Sequence, residues 1–516
     1  MAIHAFIQQH YYKLQLTYYI DIDLMYKILL TSSIFMELSH KKTIYLLLAI
    51  VIALVIALLP LENLHHTGNE SIPLTTQAKY SLAVLAFSVI AWVTEIMPFA
   101  ITGLFSLSLL VIAGCATLPE LVKDGFGNQV IVFFIGVMVI GAIVNETSFL
   151  KIITQKLINK YYSKPKTLIF IVLTIGMILA GFVTEMAAAA MLLPFAVNIL
   201  QKAKVQPLKD NFGKAMMIAC GWGPVIGGIS TPAGSGANPL TVGFLKDLAH
   251  IDLSFAQWMV IGFPAAVLML PFAWFILIKA FNIESVSLSK DFEVNEKINI
   301  TSNDIIIGTL FIVTILLWIL EPVLHTIFPS LHFITMSFVA ITIACCMFLP
   351  PFAPLSWHKV EHSINWGAII LIVSGLALGT TIYKTGAAKW LAWVLFKNLN
   401  MLHPVMMVFA VVLGVSIIKV MFSSNTVTGI IMVPLLIALS TSIGIDPALV
   451  AIPAGLTSSL SFILVTSTPT IVIPYTAGYF SIADMIKPGI YMTIISSICV
   501  TICFLVFGSL FNIITL

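Results

Sequence analysis

Apolar runs of about 18 residues or more, separated by short polar segments, recur from residue 43 to the end of the chain. A helix needs about 20 residues to cross the hydrocarbon of a bilayer. In lipid every backbone N–H and C=O has to be satisfied within its own segment, so such runs are helical. The pattern predicts eleven spans, at 43–61, 80–97, 98–116, 130–147, 215–240, 257–281, 303–323, 333–350, 366–382, 447–470 and 490–515.

Two further apolar stretches do not fit as simple crossings. Residues 167–201 are too many for one crossing and too few for two with a loop, and the one charge inside them is Glu185. Lysines flank both ends, among them Lys156, Lys160, Lys164 and Lys166 before and Lys202, Lys204 and Lys209 after. The positive-inside rule puts both flanks in the cytoplasm. The stretch is therefore predicted as a re-entrant helical hairpin with its tip at Thr184-Glu185-Met186. The second stretch, 404–441, is also too long for one crossing. Its lone charge is Lys419, just before Ser424-Asn425-Thr426. Counting spans from a cytoplasmic N-terminus puts both its ends outside, residues 282–302 and Lys487 inside, and the C-terminus outside.

The two stretches also share spacing. Thr147 precedes Thr184 by 37 residues and Thr385 precedes Ser424 by 39; Pro194 and Pro434 each follow their tip by 10. One unit starts outside and the other inside, which predicts an inverted repeat. The expected organisation is an N-terminal extension (1–42), first scaffold helices (43–121), repeat 1 (122–281), a cytoplasmic loop (282–302), second scaffold helices (303–363) and repeat 2 (364–516). Residues 1–35 lack a clear signal-peptide cleavage site, and Met36 begins a more ordinary N-terminus.

Composition agrees with an all-α membrane protein. Of 516 residues 59% are hydrophobic and 9% charged, against roughly 25% charged in soluble domains. The net charge of +3 is too small and too scattered to suggest nucleic acid. The six cysteines (115, 220, 345, 346, 499, 503) lie in apolar stretches without metal-ligand spacing, as core or lipid-facing thiols.

The chemistry concentrates where the apolar pattern breaks. Ser424-Asn425-Thr426 offers hydroxyl and amide groups at a helix break, where a helix N-terminus adds partial positive charge. That suits a carboxylate or sulfate, while Asn and bare carbonyls can hold Na⁺. The alternative is polar glue between helices. The run from Gly227 to Pro239, with Gly228, Ser235 and Asn238 in it, is too rich in Gly and Pro for a regular helix. Its counterpart is Thr466-Ser467-Thr468-Pro469-Thr470. Irregular backbone at membrane depth is tolerated where it lines a site, and broken helices of inverted-repeat transporters meet at one.

Glu185 and Lys419 are each the lone charge of a hairpin. An ionisable group at membrane depth is expensive and marks function. The two are expected close enough to influence each other across the site, in which case the Lys419 ammonium could stand in for one Na⁺ or Glu185 could carry a proton. The alternative is that Glu185 caps its helix and Lys419 snorkels to water.

Enzyme signatures are absent: there is no P-loop, no H-E-x-x-H and no G-x-S-x-G. His358-Lys359-Val360-Glu361-His362 matches H-x-x-E-H, but it sits in a short predicted loop and is read as solvated.

These residues resemble the divalent anion/sodium symporter family, carriers of di- and tricarboxylates or sulfate, over about residues 43–516. Trp92-Val93-Thr94-Glu95-Ile96-Met97-Pro98 is similar to the family's W-x-T-E-x-x-P. Ser424-Asn425-Thr426 resembles its second Ser-Asn-Thr tip. The break ending in Asn238 resembles its G-T-P-P-N segment, and Thr468-Pro469 its A-T-P-P-N. The resemblance implies a homodimer whose transport domain moves against a scaffold like an elevator. It implies substrate contacts at Ser424, Asn425, Thr426, Thr184, Thr468, Pro469 and Ser235. It also implies cation binding at Gly228, Asn238 and Asn425, to which Glu185 and Lys419 are added as cation-binding or coupling candidates on their lone charges, not on the resemblance. The chain departs from the pattern at the first tip, where Thr184-Glu185-Met186 replaces Ser-Asn-Thr, and at Ile471, where the second break lacks its Asn.

The expectation is a secondary carrier of small divalent anions, foremost di- or tricarboxylates, working by cation coupling or by exchange. It is expected in a plasma membrane, the inner membrane of a bacterium, with no cofactor beyond Na⁺ or H⁺ as coupling ion, no metal apart from Na⁺, and no enzymatic role. A carrier of sulfate or an arsenite-like exporter is the alternative. An intramembrane hydrolase is the weakest reading, because no paired nucleophile and base is evident.

Overall fold

The computed structural model describes residues 40–58, 64–65, 71–72, 74–148, 152, 155–156, 160–161, 164–283, 300–350, 356–396 and 402–514. The N-terminal extension to residue 39, most of loop 282–302, and Phe149 to Lys151 lie outside them. The regular elements among the described residues are helices, apart from a short antiparallel pairing of Leu64–His65 with Ser71–Ile72.

Seven predicted spans appear as single helices of 18 residues or more: His40–Leu58, Thr76–Val93, Gln129–Glu146, Phe255–Phe281, Ser302–Ile327, Trp366–Lys384 and Ile482–Leu510. Their starts follow local capping chemistry. Thr301, Ser254 and Ser481 each bond the backbone of the third helical residue, whose Asp304, Gln257 or Asp484 side chain bonds back. Each such box satisfies two otherwise unpaired N–H groups. Spans 98–116 and 333–350 are shorter than expected, at Phe99–Ile112 and Met336–Cys346.

Spans 215–240 and 447–470 are not continuous helices, which corrects the count of eleven. The first splits into Asn211–Gly228 and Ala237–Ala249. The second splits into Ala448–Ser458, a 3-10 turn at Val465–Ser467, and Pro469–Tyr475. The breaks fall on the Gly-Ser-Pro run and the Thr-Ser-Thr-Pro run, which lack the side chains and the N–H that continue a helix.

Both long apolar stretches fold as two helices joined by a tight tip. The first pairs Pro165–Phe182 with Glu185–Lys202, and the second pairs Pro404–Lys419 with Asn425–Ile443. The two halves of the chain then show one order of elements: a long helix, a hairpin, a broken helix, a long helix. Thr147 and Thr385 cap the ends of the corresponding first helices. Pro194 and Pro434 both lie inside the second helix of their hairpin.

The first hairpin lies directly on the broken helix behind it. A Cβ built at Gly227 would sit 2.2 Å from the Met177 carbonyl oxygen, so only glycine allows this backbone approach. Gly227→Ala is expected to destabilise the protein by about 1–3 kcal/mol through overpacking. The thermal midpoint of the detergent-solubilised variant should fall relative to Gly308→Ala, where a Cβ meets nothing within 4 Å. Equal midpoints would contradict this account of the packing.

Candidate functional site

The two hairpin tips face one another across a cavity of about 270 Å³. Its walls include Thr184, Glu185 and Met186 of the first tip and Ser424, Asn425 and Thr426 of the second. Ser235 comes from the first break, Thr468 and Pro469 from the second. All seven residues expected to touch substrate therefore meet in one space. A larger cleft of about 660 Å³ near Lys214, Lys279 and Asp484 draws on neither tip.

Each tip is built by the same local device. Thr184 and Ser424 stand in extended backbone and accept hydrogen bonds from the N–H of the third helical residue, Ala187 and Val427, both at 3.4 Å. The first two N–H groups of a helix have no partner within it. Asn425 and Thr426 therefore present theirs, with the positive end of an 19-residue helix behind them.

Glu185 is 7% exposed and begins its helix. Its N–H donates to the Gly234 carbonyl at 3.0 Å, tying the tip to the break. Oε1 accepts from Asn425 Nδ2 in a short hydrogen bond and from Ser235 Oγ at 3.2 Å. Gly228 packs against the same carboxylate: a Cβ there would lie 2.8 Å from Oε2. The Asn425–Glu185 bond joins the tips directly. It leaves two buried acceptors without a hydrogen-bond partner, Glu185 Oε2 and Asn425 Oδ1. Buried polar atoms are normally paired, and an acceptor-only pair is satisfied by a cation or a proton.

Gly228 and Asn238 do not line the cavity. Asn238 is fully buried, and its Nδ2 donates to the carbonyls of Gly228 and Thr231, both at 2.7 Å. Its amide thus fastens the two ends of the first break. Its Oδ1 accepts from Ser459 Oγ at 3.5 Å.

Lys419 makes no contact ion pair with Glu185, though the two charges act on each other from a longer range, as the sequence leads one to expect. No ion pair within 4.0 Å joins them, because Lys419 Nζ is taken up by the carbonyls of Phe422 at 3.2 Å and Ser467 at 2.5 Å. At 1% exposure it does not snorkel to water either.

Sequence reasoning missed some residues. Asn365 lines the cavity and caps helix Trp366–Lys384 by accepting from the Ala368 N–H at 3.0 Å; its only sequence signal is an Asn just before an apolar run. Glu95, in the W-x-T-E-x-x-P turn, accepts from Ser423 Oγ at 2.8 Å and so reaches the second tip. Trp92 of the same turn donates to the Phe99 carbonyl at 3.1 Å across the helix break.

His358, Glu361 and His362 come together on the short exposed helix Trp357–Ser363, with ligand atoms within 4.8 Å of one another. His358 Nδ1 lies 2.9 Å from Glu361 Oε1. All six cysteines are free. No His, Cys or Lys lines the tip cavity; its one ionisable wall residue is Glu185.

Comparison with known proteins agrees with this architecture. The chain is 28% identical over 441 residues to the sodium-dependent dicarboxylate transporter SdcS of Staphylococcus aureus, covering 81% of this chain and 84% of that one. Among solved structures, the Alcanivorax borkumensis YdaH transporter, described as having an unusual topology, aligns over 92% of this chain and 98% of its own. Its TM-score is 0.51 at 13% identity, a likeness of fold. The family described as the sodium:sulfate symporter transmembrane region matches residues 40–514, nearly the whole chain. That family is one of transporters, not enzymes, and this multi-pass membrane protein belongs to it.

Proposed function

We propose that this protein is a secondary active carrier of small dicarboxylates, coupled to a cation. The observation that carries the reading is the cavity between two polar hairpin tips, joined by the Asn425–Glu185 bond with Glu185 Oε2 and Asn425 Oδ1 left open. Helix N-termini and the hydroxyls of Thr184, Ser424, Thr426 and Thr468 suit the carboxylates of a substrate. A negative Glu185 in the same wall would repel that substrate. Two like charges in a poorly solvated cavity are costly, so a cation or a proton at Glu185 has to enter with the anion. That requirement makes the two binding events one coupled step. The 28% identical relative is named for sodium and dicarboxylate, which supports Na⁺ as the partner ion. Sulfate is the second reading, resting on the family's description.

The same reading makes both hairpins re-entrant, the repeats inverted, the N-terminus cytoplasmic and the C-terminus outside. A homodimer with an elevator-like transport domain in a bacterial inner membrane completes it. Lys166→Cys and Lys202→Cys, each on a background lacking the six native cysteines, are expected to react with an impermeant maleimide from the cytoplasmic side alone. Labelling of either from outside would turn Pro165–Phe182 into a true crossing and remove the inverted repeat.

The experiment for function is uptake of radiolabelled succinate into proteoliposomes under imposed sodium or proton gradients. Stimulation by one gradient supports the proposal, and uptake indifferent to both, with no exchange, opposes it.

A further inference from the structure

We propose that Lys419 is a built-in cation, whose ammonium occupies the place and supplies the charge of one coupling ion at the second hairpin. This rests on the carrier reading and specifies its ion count. Lys419 ends the first helix of the hairpin, Pro404–Lys419, and its side chain is fully buried. Its Nζ contacts backbone carbonyls from two separate breaks. Phe422 belongs to the turn leading into Ser424-Asn425-Thr426, and Ser467 closes the 3-10 turn before Thr468-Pro469. Among the described residues no carboxylate lies within 4.0 Å of it.

That shell is what a small hard cation takes: oxygen atoms only, from unwound backbone and from the negative end of a half-helix. An ammonium has three donors and no acceptor, so it can use such carbonyls as an ion would. Lysine is costly to bury unless something at the site needs its charge. A merely structural filler would be apolar, as the buried Val412 and Val415 of the same helix are. The first tip differs. There Glu185 Oε2 and Asn425 Oδ1 are open acceptors, and the Lys419 ammonium acts on that carboxylate only from a distance, without touching it. One tip thus carries its positive charge covalently, and the other has to take it from solution.

The consequence is a low ion count. A succinate dianion would be carried with one exchangeable cation, a sodium ion or a proton, because the second positive charge never leaves the protein. The test measures radiosodium against radiolabelled succinate in proteoliposomes. For the wild type, a sodium-to-succinate ratio of one or zero supports the proposal, and two or more overturns it. In Lys419→Ser the carbonyls of Phe422 and Ser467 lose their donor, and the vacated space admits Na⁺. The ratio should then rise by one, whereas Lys419→Arg keeps the charge and should keep the wild-type ratio. A Lys419→Ser variant that transports with an unchanged ratio would reduce Lys419 to a structural residue and overturn the proposal.

A readout independent of transport separates this from failure of the carrier reading. Purified Lys419→Ser should gain a rise in thermal midpoint with sodium chloride over choline chloride that exceeds the wild type's. A folded variant whose sodium response equals that of the wild type overturns the built-in cation even if no uptake is ever detected. If Lys419→Ser does not fold, the wild-type ratio alone decides.

Discussion

Asn425→Ala is expected to lower dicarboxylate uptake by about 10- to 150-fold, on the scale of a lost hydrogen bond to a charged group at about 1.5–3 kcal/mol. The variant should remain folded and membrane-inserted. Asn425 donates to Glu185 Oε1 from the opposite tip, and its own Oδ1 stays open toward the cavity. Alanine removes the bond that joins the tips and leaves the carboxylate with Ser235 as its remaining side-chain donor. It also removes an oxygen available to a cation and an amide available to substrate. Thr428→Ala is the control, because Thr428 bonds back to the Ser424 carbonyl at 3.0 Å within the same helix and does not line the cavity. Uptake by Asn425→Ala at the wild-type rate would remove this tip from the site.

Glu185→Gln is expected to uncouple the carrier. Glutamine keeps the shape and can still accept from Asn425 and Ser235, but it brings no negative charge to neutralise. The anion should then bind without a partner cation. Stimulation of uptake by the coupling gradient should fall by about ten-fold or more, equivalent to about 1.4 kcal/mol. Substrate exchange at equilibrium should persist. The check is succinate uptake with and without sodium and proton gradients, beside counterflow in the same vesicles. A variant with unchanged ion dependence would make Glu185 a helix cap and no more.

Much of this molecule can be read from its apolar pattern. Seven long helices, both hairpins and the seven residues expected to touch substrate follow from runs of the right length and from polar breaks within them. The breaks were harder to place as structure. A run such as 215–240 is apolar enough to span, and hydropathy does not register that glycine and proline interrupt its hydrogen bonding. The side-chain partners were less legible still. Glu185 and Lys419 looked like mutual partners because each is the lone charge in its stretch. In the fold, the backbone carbonyls of Phe422 and Ser467 lie nearer to the ammonium, and Asn425 lies nearer to the carboxylate. Carbonyl groups carry no sequence signature, so a site built from them is visible only once the chain is folded. The same holds for Asn238, which spends its amide on two carbonyls behind the cavity wall. Glu95 reaches Ser423 over 328 positions of sequence, a proximity that no local pattern encodes.

The most direct test of the central claim is counterflow in proteoliposomes holding the purified wild-type protein. Vesicles loaded with unlabelled succinate should accumulate radiolabelled succinate transiently, and asparagine or glycerol inside should not replace it. Parallel vesicles with Asn425→Ala should show no accumulation. Absence of counterflow with succinate, malate, citrate and sulfate alike, from a folded and inserted protein, would contradict the account.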